Sequence, residues 1–120
     1  MQDFKKLLVW QKGHVLTKEI YLATSKFPKD ELYGVTSQLR RAVLSIPTNI
    51  AEGVGRGSDA DFKRFLHIAF GSASETEYLI LISKELKYLS QDEAVSFDNQ
   101  IIEIKKMLSS LINTLKKSDG

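Results

Sequence analysis

The side chains best suited to specific chemistry lie in the segment from Gln38 to Arg56, QLRRAVLSIPTNIAEGVGR. This segment contains three of the four arginines of the chain and a proline within a helical pattern. A guanidinium group pairs bidentately with a carboxylate, and such a pair is costly to bury when one partner is missing. The chemistry that the segment favours is therefore recognition of charged groups.

The sequence does not place the residue types used in catalysis at the spacings that catalysis requires. Cysteine is absent, and His67 has no carboxylate or second histidine at metal-ligand spacing. Glu75 and Glu77 are two residues apart on a predicted helix, so they point in different directions and do not form an acid/base pair. The glycines at 53–57 lack the preceding strand and the GK[ST] of a phosphate-binding loop. We predict no enzyme, no metal site and no cofactor.

Apolar residues recur at intervals of three and four along most of the chain, which is the pattern of helices packed nearly parallel. The pattern is interrupted near 26–30, 53–59 and 89–93, so the predicted helices cover approximately residues 7–26, 30–53, 59–89 and 92–117. The connections are short, and neighbouring helices should therefore run antiparallel. The sequence predicts an all-α, up-down-up-down four-helix bundle that forms a single domain, residues 1–120.

Pro47 lies inside the second predicted helix. Proline removes a backbone donor and crowds the carbonyl four residues earlier, which here belongs to Val43. We expect the second helix to be kinked at Pro47. Ser45 and Asn49 flank the kink and are predicted to satisfy the carbonyl groups that it frees.

A polar row follows the second helix beside its apolar row. Its steps of three and four residues place it on one continuous face, about a quarter-turn from the core. The row consists of Gly34, Gln38, Arg41, Ser45, Asn49 and Glu52. One interpretation is a solvent-facing surface with an incidental kink. The favoured one is a polar contact between subunits, because long charged side chains alternate with small serine and asparagine.

The third helix offers a matching strip that contains Ser72 and Glu75. We predict that Arg41 pairs with Glu75 or with Glu52, within one subunit or between two. Trp10 has two interpretations, a platform for stacking nucleobases or, as we favour, a side chain that packs against another helix or subunit. The predicted subunit interface comprises Trp10, Gln38, Arg41, Ser45, Asn49, Glu52, Ser72 and Glu75.

The formal net charge is only +2 at pH 7. A monomer this weakly basic would bind nucleic acid poorly, whereas a symmetric oligomer would multiply one basic patch into a stronger field. The sequence contains no apolar run of membrane-spanning length and begins with too short an apolar stretch for a signal peptide. We therefore expect a cytoplasmic protein without membrane association.

Several motifs occur together and in order: LVWQK at residues 8–12, FPxxExYG at 27–34, QLRRA at 38–42, SIPxNIAEGxGR at 45–56, and the pairs Phe65-Leu66 and Gly71-Ser72. With these motifs the chain resembles the four-helix bundle proteins encoded within intervening sequences of bacterial 23S ribosomal RNA genes. The resemblance covers roughly residues 9–89.

The resemblance implies a homopentameric ring or barrel with basic surfaces. The accessory protein of diversity-generating retroelements is similar in architecture, and that basic pentamer binds nucleic acid and partners a reverse transcriptase. The implied function is nonspecific binding of RNA, or of other nucleic acid, and the alternative is a protein-interaction scaffold without nucleic-acid affinity. The phosphate contacts that the resemblance implies are Lys12, Lys18, Arg40, Arg41, Arg56, Lys63 and Arg64.

Overall fold

The computed structural model describes the backbone of residues 2–119 and the side chains of residues 2–116. Four long helices account for most of this part of the chain, and it contains no strand. The helices are α1 (Leu8–Thr24), α2 (Ser37–Gly55), α3 (Asp59–Glu85) and α4 (Gln91–Asp119). Each packs against the next, and α1 also packs against α4, in a body of 47 × 21 × 20 Å. The predicted antiparallel four-helix bundle is confirmed.

The core runs the full length of the bundle and draws on all four helices. Its largest fully buried side chains include Leu16, Ile20, Leu39, Ile46, Ile50, Leu66, Ile80, Ile101, Ile104 and Leu108. Together with the smaller buried residues between them, Val43, Ala69, Ala73 and Thr76, these positions follow three- and four-residue intervals, the spacing that keeps one face of a helix turned toward its neighbours. Within the described part of the chain, none of the helices combines the length and apolar content that crossing a membrane requires.

The connection between α1 and α2 is more elaborate than predicted. A 3-10 turn at Lys29–Glu31 and a kinked turn at Leu32–Thr36 precede α2, which therefore begins at residue 37 and not at 30. Gly34 has non-helical torsion angles (φ −112°, ψ −118°), and this interrupts the helical pattern. The Glu31 carboxylate holds the turn, because it accepts bonds from the Val35 backbone N–H (3.4 Å) and from the Tyr88 hydroxyl (2.7 Å).

The α3–α4 connection is formed by two local motifs. Lys87 has a positive φ of 66°, and the N–H of Tyr88 bonds to the Ser83 carbonyl at 2.8 Å, which closes α3 four residues earlier than predicted. Ser90 and Glu93 then cap α4 reciprocally, each side chain accepting from the other's backbone N–H at 3.0–3.1 Å. This short connection keeps α3 and α4 adjacent.

The α2 helix continues through Pro47 without a break, and the kink there stays a prediction. The carbonyl that the proline frees, that of Val43, lies 3.2 Å from the Thr17 hydroxyl of α1, which shares its single proton between this carbonyl and that of Gly13 at 2.7 Å. Asn49 instead donates to the carbonyl and the hydroxyl of Ser45, both at 2.8 Å. The expectation that Ser45 and Asn49 would satisfy the freed carbonyl is therefore wrong. A side chain from the neighbouring helix does so.

Candidate functional site

The polar row of α2 faces α3 across an open groove of about 440 Å³. Its lining residues are Gln38, Arg41, Ala42, Ser45, Ser72 and Glu75. Five of these belong to the predicted interface, so the structure brings them together on one surface. We call this surface the α2–α3 groove.

Small hydroxyl side chains join the two walls of the groove. The Ser45 and Ser72 hydroxyl oxygens are 2.8 Å apart, and Asn49 donates to the Ser45 hydroxyl from one turn away. Thr76 donates to the Ser72 carbonyl at 2.8 Å. Of these bonds, only the one between Ser45 and Ser72 crosses from α2 to α3, and it links the two walls of the groove; the other two lie within single helices.

The charged side chains of the groove are available for external contacts. Arg41 and Glu75 are both exposed, and neither forms an ion pair with another described residue. Glu52 pairs with Arg56, its neighbour one turn along α2, at 2.8 Å. The prediction that Arg41 pairs with Glu75 or Glu52 is thus wrong within one chain. Pairing between two chains stays a prediction.

Trp10 lies outside the groove. Its ring stacks on His14, one turn along α1, with centroids 4.8 Å apart, and meets the edge of Phe4 at 5.0 Å. The side chain is partly buried against the core. The structure therefore separates Trp10 from the interface residues with which it was grouped, because it lies on α1 and the groove is formed by α2 and α3.

Three of the predicted phosphate contacts gather where α2 meets α3. Arg56 and Arg64 both place a guanidinium near the Phe65 ring, with distances of 5.1 and 4.6 Å to its centroid. Lys63 precedes Arg64 on α3. We call Arg56, Lys63 and Arg64 the arginine cluster. Its arginines also carry acidic neighbours, since Arg56 pairs with Glu52 and Arg64 lies 3.4 Å from an Asp61 oxygen.

Arg40 performs a structural role at the opposite end of the bundle. Its Nε donates to the Thr24 hydroxyl at 2.8 Å, and Nη2 donates to the Tyr21 carbonyl at 3.2 Å. The guanidinium also lies 4.9 Å from the centre of the Tyr21 ring. These contacts fasten the last turn of α1 to α2, where a cation also complements the helix dipole. The assignment of Arg40 as a phosphate contact is not supported by this geometry.

The two lysines of α1 do not extend the arginine cluster into a continuous basic surface. Lys12 pairs with Glu103 of α4. Lys18 is exposed, and no hydrogen bond or ion pair links it to another described residue. The seven predicted phosphate contacts are therefore distributed over both ends and several faces of the bundle.

The family model of the 23S rRNA-intervening sequence protein matches residues 5–110. The chain belongs to this family. Among solved structures, the intervening-sequence chain is similar to a protein of unknown function of the S23 ribosomal protein family from Bacteroides thetaiotaomicron. The two share 29% sequence identity and a TM-score of 0.81, over 88% of this chain and 96% of that one. Among proteins with curated descriptions, none matches significantly.

Glu31, Thr17 and Tyr33 have structural positions that sequence reasoning did not single out: Glu31 holds the first connection, Thr17 bonds to α2 in the core, and Tyr33 is exposed. Glu31 and Tyr33 lie in the FPxxExYG motif, which was a usable signal for the first connection. Thr17 has no sequence signal of its own, because its partner carbonyl lies 26 residues away on another helix.

Changing Glu31 to glutamine is expected to lower the pKa of Tyr88. That pKa is raised above its ordinary value of 10.0, first by the hydrogen bond to the Glu31 carboxylate and then by burial and nearby negative charge. The bond therefore stabilises the fold at pH values below the unfolded pKa, and the contribution is lost as pH rises through the raised pKa. Ultraviolet absorbance of phenolate during alkaline titration measures the change. The Tyr88→Phe variant identifies the titrating ring, and an unchanged titration in Glu31→Gln would contradict the assignment.

Proposed function

We propose that this protein is a non-enzymatic, self-associating helical bundle, and that the assembled particle binds RNA, or other nucleic acid, without sequence preference. We further propose that the assembly is a pentamer and that it acts in the cytoplasm. The observation that supports nucleic-acid binding is the arginine cluster at the α2–α3 connection, in which the guanidinium groups of Arg56 and Arg64 both lie near the Phe65 ring and Lys63 is the sequence neighbour of Arg64. Guanidinium groups are well suited to phosphate because they present paired donors in a planar fork.

The weak positive charge of the single chain supports the proposal that the assembled form is the one that binds nucleic acid. The formal net charge is +2, and the two arginines of the cluster each have an acidic neighbour. A single copy therefore presents a weak positive potential. In a symmetric assembly each copy contributes one cluster, so the number of phosphate contacts multiplies with the number of subunits and the affinity rises accordingly.

The double variant Arg56→Ala with Arg64→Ala is expected to weaken RNA binding about equally for all sequences and to leave the assembly intact. The slope of log K against log salt should become shallower by about 1 for each arginine–phosphate pair that the substitutions remove. Fluorescence anisotropy with several unrelated RNA oligonucleotides over a salt series measures both quantities, and native mass spectrometry reports the assembly.

The matched control is Lys29→Ala with Lys84→Ala. These exposed lysines lie at the opposite end of the bundle, in the α1–α2 connection and the last turn of α3, so the same loss of formal charge occurs away from the cluster. An equal loss of affinity in both double variants would show a general charge effect. Unchanged affinity, or a loss confined to some sequences, would contradict the proposal.

A protein-interaction scaffold without nucleic-acid affinity is the second candidate function, and the outer face of α1 favours it. Leu8, Val15 and Leu22 are exposed at seven-residue intervals, and Leu22 is 73% exposed. Seven residues are nearly two helical turns, so the three side chains form one axial row. A partner that docks on this row would be held by apolar burial, and binding would be far less sensitive to salt than phosphate binding.

A further inference from the structure

Tyr33 is the most exposed large hydrophobic side chain described, with 92% of its surface accessible, and Leu32 beside it is 48% exposed. The backbone that carries them is nevertheless held in place. Glu31 bonds to the Val35 N–H and to Tyr88, and a Cβ atom at Gly34 would lie 2.6 Å from the Glu31 carboxylate. The turn thus presents Tyr33 outward from a fixed support.

Folding of the single chain does not account for this arrangement. Scattered exposed apolar residues are ordinary, but this ring lies on a turn that is interrupted at Gly34 and held by two hydrogen bonds to the Glu31 carboxylate. Here the turn and its supporting bonds place an aromatic ring in water, where the ring contributes nothing to the core. An aromatic side chain on a rigid support is typical of the anchor residues of protein interfaces.

The α2–α3 groove has the features that a tyrosine side chain requires. Its volume of about 440 Å³ accommodates a phenol ring, and its two exposed charged groups, Arg41 and Glu75, form no ion pair with any other residue whose side chain the structure describes. A phenol hydroxyl donates well to a carboxylate, and a guanidinium stacks favourably on an aromatic face. Both contacts already occur within this chain, between Tyr88 and Glu31 at 2.7 Å and between Arg40 and the Tyr21 ring at 4.9 Å.

The ring that occupies the groove cannot be the chain's own Tyr33, whose surface is almost wholly free. We propose that Tyr33 of one copy inserts into the α2–α3 groove of a second copy, with its hydroxyl on Glu75 and its ring against Arg41. The contact joins two different surfaces, so successive copies form a ring when the rotation closes. This inference rests on the self-association proposed above.

A cross-linking experiment tests the contact, because the natural chain contains no cysteine. Leu32→Cys lies beside the tyrosine and Gln38→Cys lines the groove, so both variants keep Tyr33, Arg41 and Glu75. The two variants carry different affinity tags, are mixed, and are treated with a short bis-maleimide reagent. We expect a doubly tagged product. Leu22→Cys mixed with Gln38→Cys is the matched control and should give little such product, since Leu22 is more exposed than Leu32 but lies on the outer face of α1.

Substitution of Tyr33 measures how much the proposed contact contributes to the affinity of the assembly. Tyr33→Ala should raise the dissociation constant of the assembly about 30-fold, as expected for an anchor residue, while Tyr33→Phe keeps the ring and should cause a smaller increase. The circular dichroism spectrum should not change, because the side chain is exposed. If the protein assembles but gives no doubly tagged product, and its dissociation constant does not change in Tyr33→Ala, this inference is overturned while the proposed self-association stands. A monomer at all concentrations would overturn both.

Discussion

Replacing Gly53 with alanine is expected to lower the free energy of unfolding by about 1–3 kcal/mol, the range observed for overpacked cores. The added methyl group would lie 2.8 Å from the Phe65 Cβ and 3.1 Å from the Phe62 Cδ1. The Cβ of Phe65 is attached directly to the α3 backbone, so side-chain rotation cannot relieve the clash and the two helices must separate. Urea unfolding at a fixed protein concentration measures the loss.

Gly55→Ala is the matched control for this prediction. Gly55 also lies in α2, but a Cβ there would meet no atom within 4 Å. Only the gain in helix propensity then acts, and stability should rise by about 0.5–1 kcal/mol. A Gly53→Ala variant as stable as Gly55→Ala would contradict the close approach of α2 to α3.

Thr17→Val is expected to destabilise the bundle by about 1–3 kcal/mol, although the two side chains have nearly the same shape. The Thr17 hydroxyl lies 3.2 Å from the Val43 carbonyl and also 2.7 Å from the carbonyl of Gly13. Pro47 provides no N–H for the Val43 carbonyl, so valine at position 17 would leave that buried acceptor without a partner. Chemical denaturation of the single variant measures the cost.

A double-mutant cycle with Pro47→Ala isolates the proposed cause. Alanine at position 47 restores the backbone N–H, so Thr17→Val should cost less in the Pro47→Ala background than in the natural chain. Thr76→Val serves as the comparison. The Thr76 hydroxyl also donates to a carbonyl, that of Ser72, but α3 contains no proline, so this carbonyl keeps its backbone N–H donor. Strictly additive effects of Thr17→Val and Pro47→Ala would show that the hydroxyl does not replace the missing donor.

Much of the candidate site could be predicted from helical periodicity. Gln38, Arg41 and Ser45 share a face because they are three and four residues apart, and Ser72 with Glu75 follow the same rule on α3. A short connection makes α2 and α3 antiparallel neighbours, so the two strips meet. The reciprocal cap of Ser90 and Glu93 was also readable, since serine followed three residues later by glutamate is a capping signature.

Side-chain partners could not be predicted in the same way. Arg40 and Arg41 are adjacent in sequence, yet a rotation of about 100° per residue directs one toward α1 and leaves the other in the groove. Which of them binds within the chain depends on where Thr24 and Tyr21 lie after packing. Glu52 was one of the two predicted partners of Arg41. In the structure Glu52 pairs instead with Arg56, which lies four residues further along the chain.

The amino-acid sequence by itself determined the four helices, their antiparallel order and the polar face of α2, because periodicity and caps act between residues a few positions apart. Tertiary structure alone decided that the Thr17 hydroxyl donates to the carbonyl freed by Pro47 and that Arg40 binds the last turn of α1. It also decided that Tyr33 is exposed to solvent. Those outcomes depend on distances between residues brought together from separate helices, and no local pattern specifies such distances.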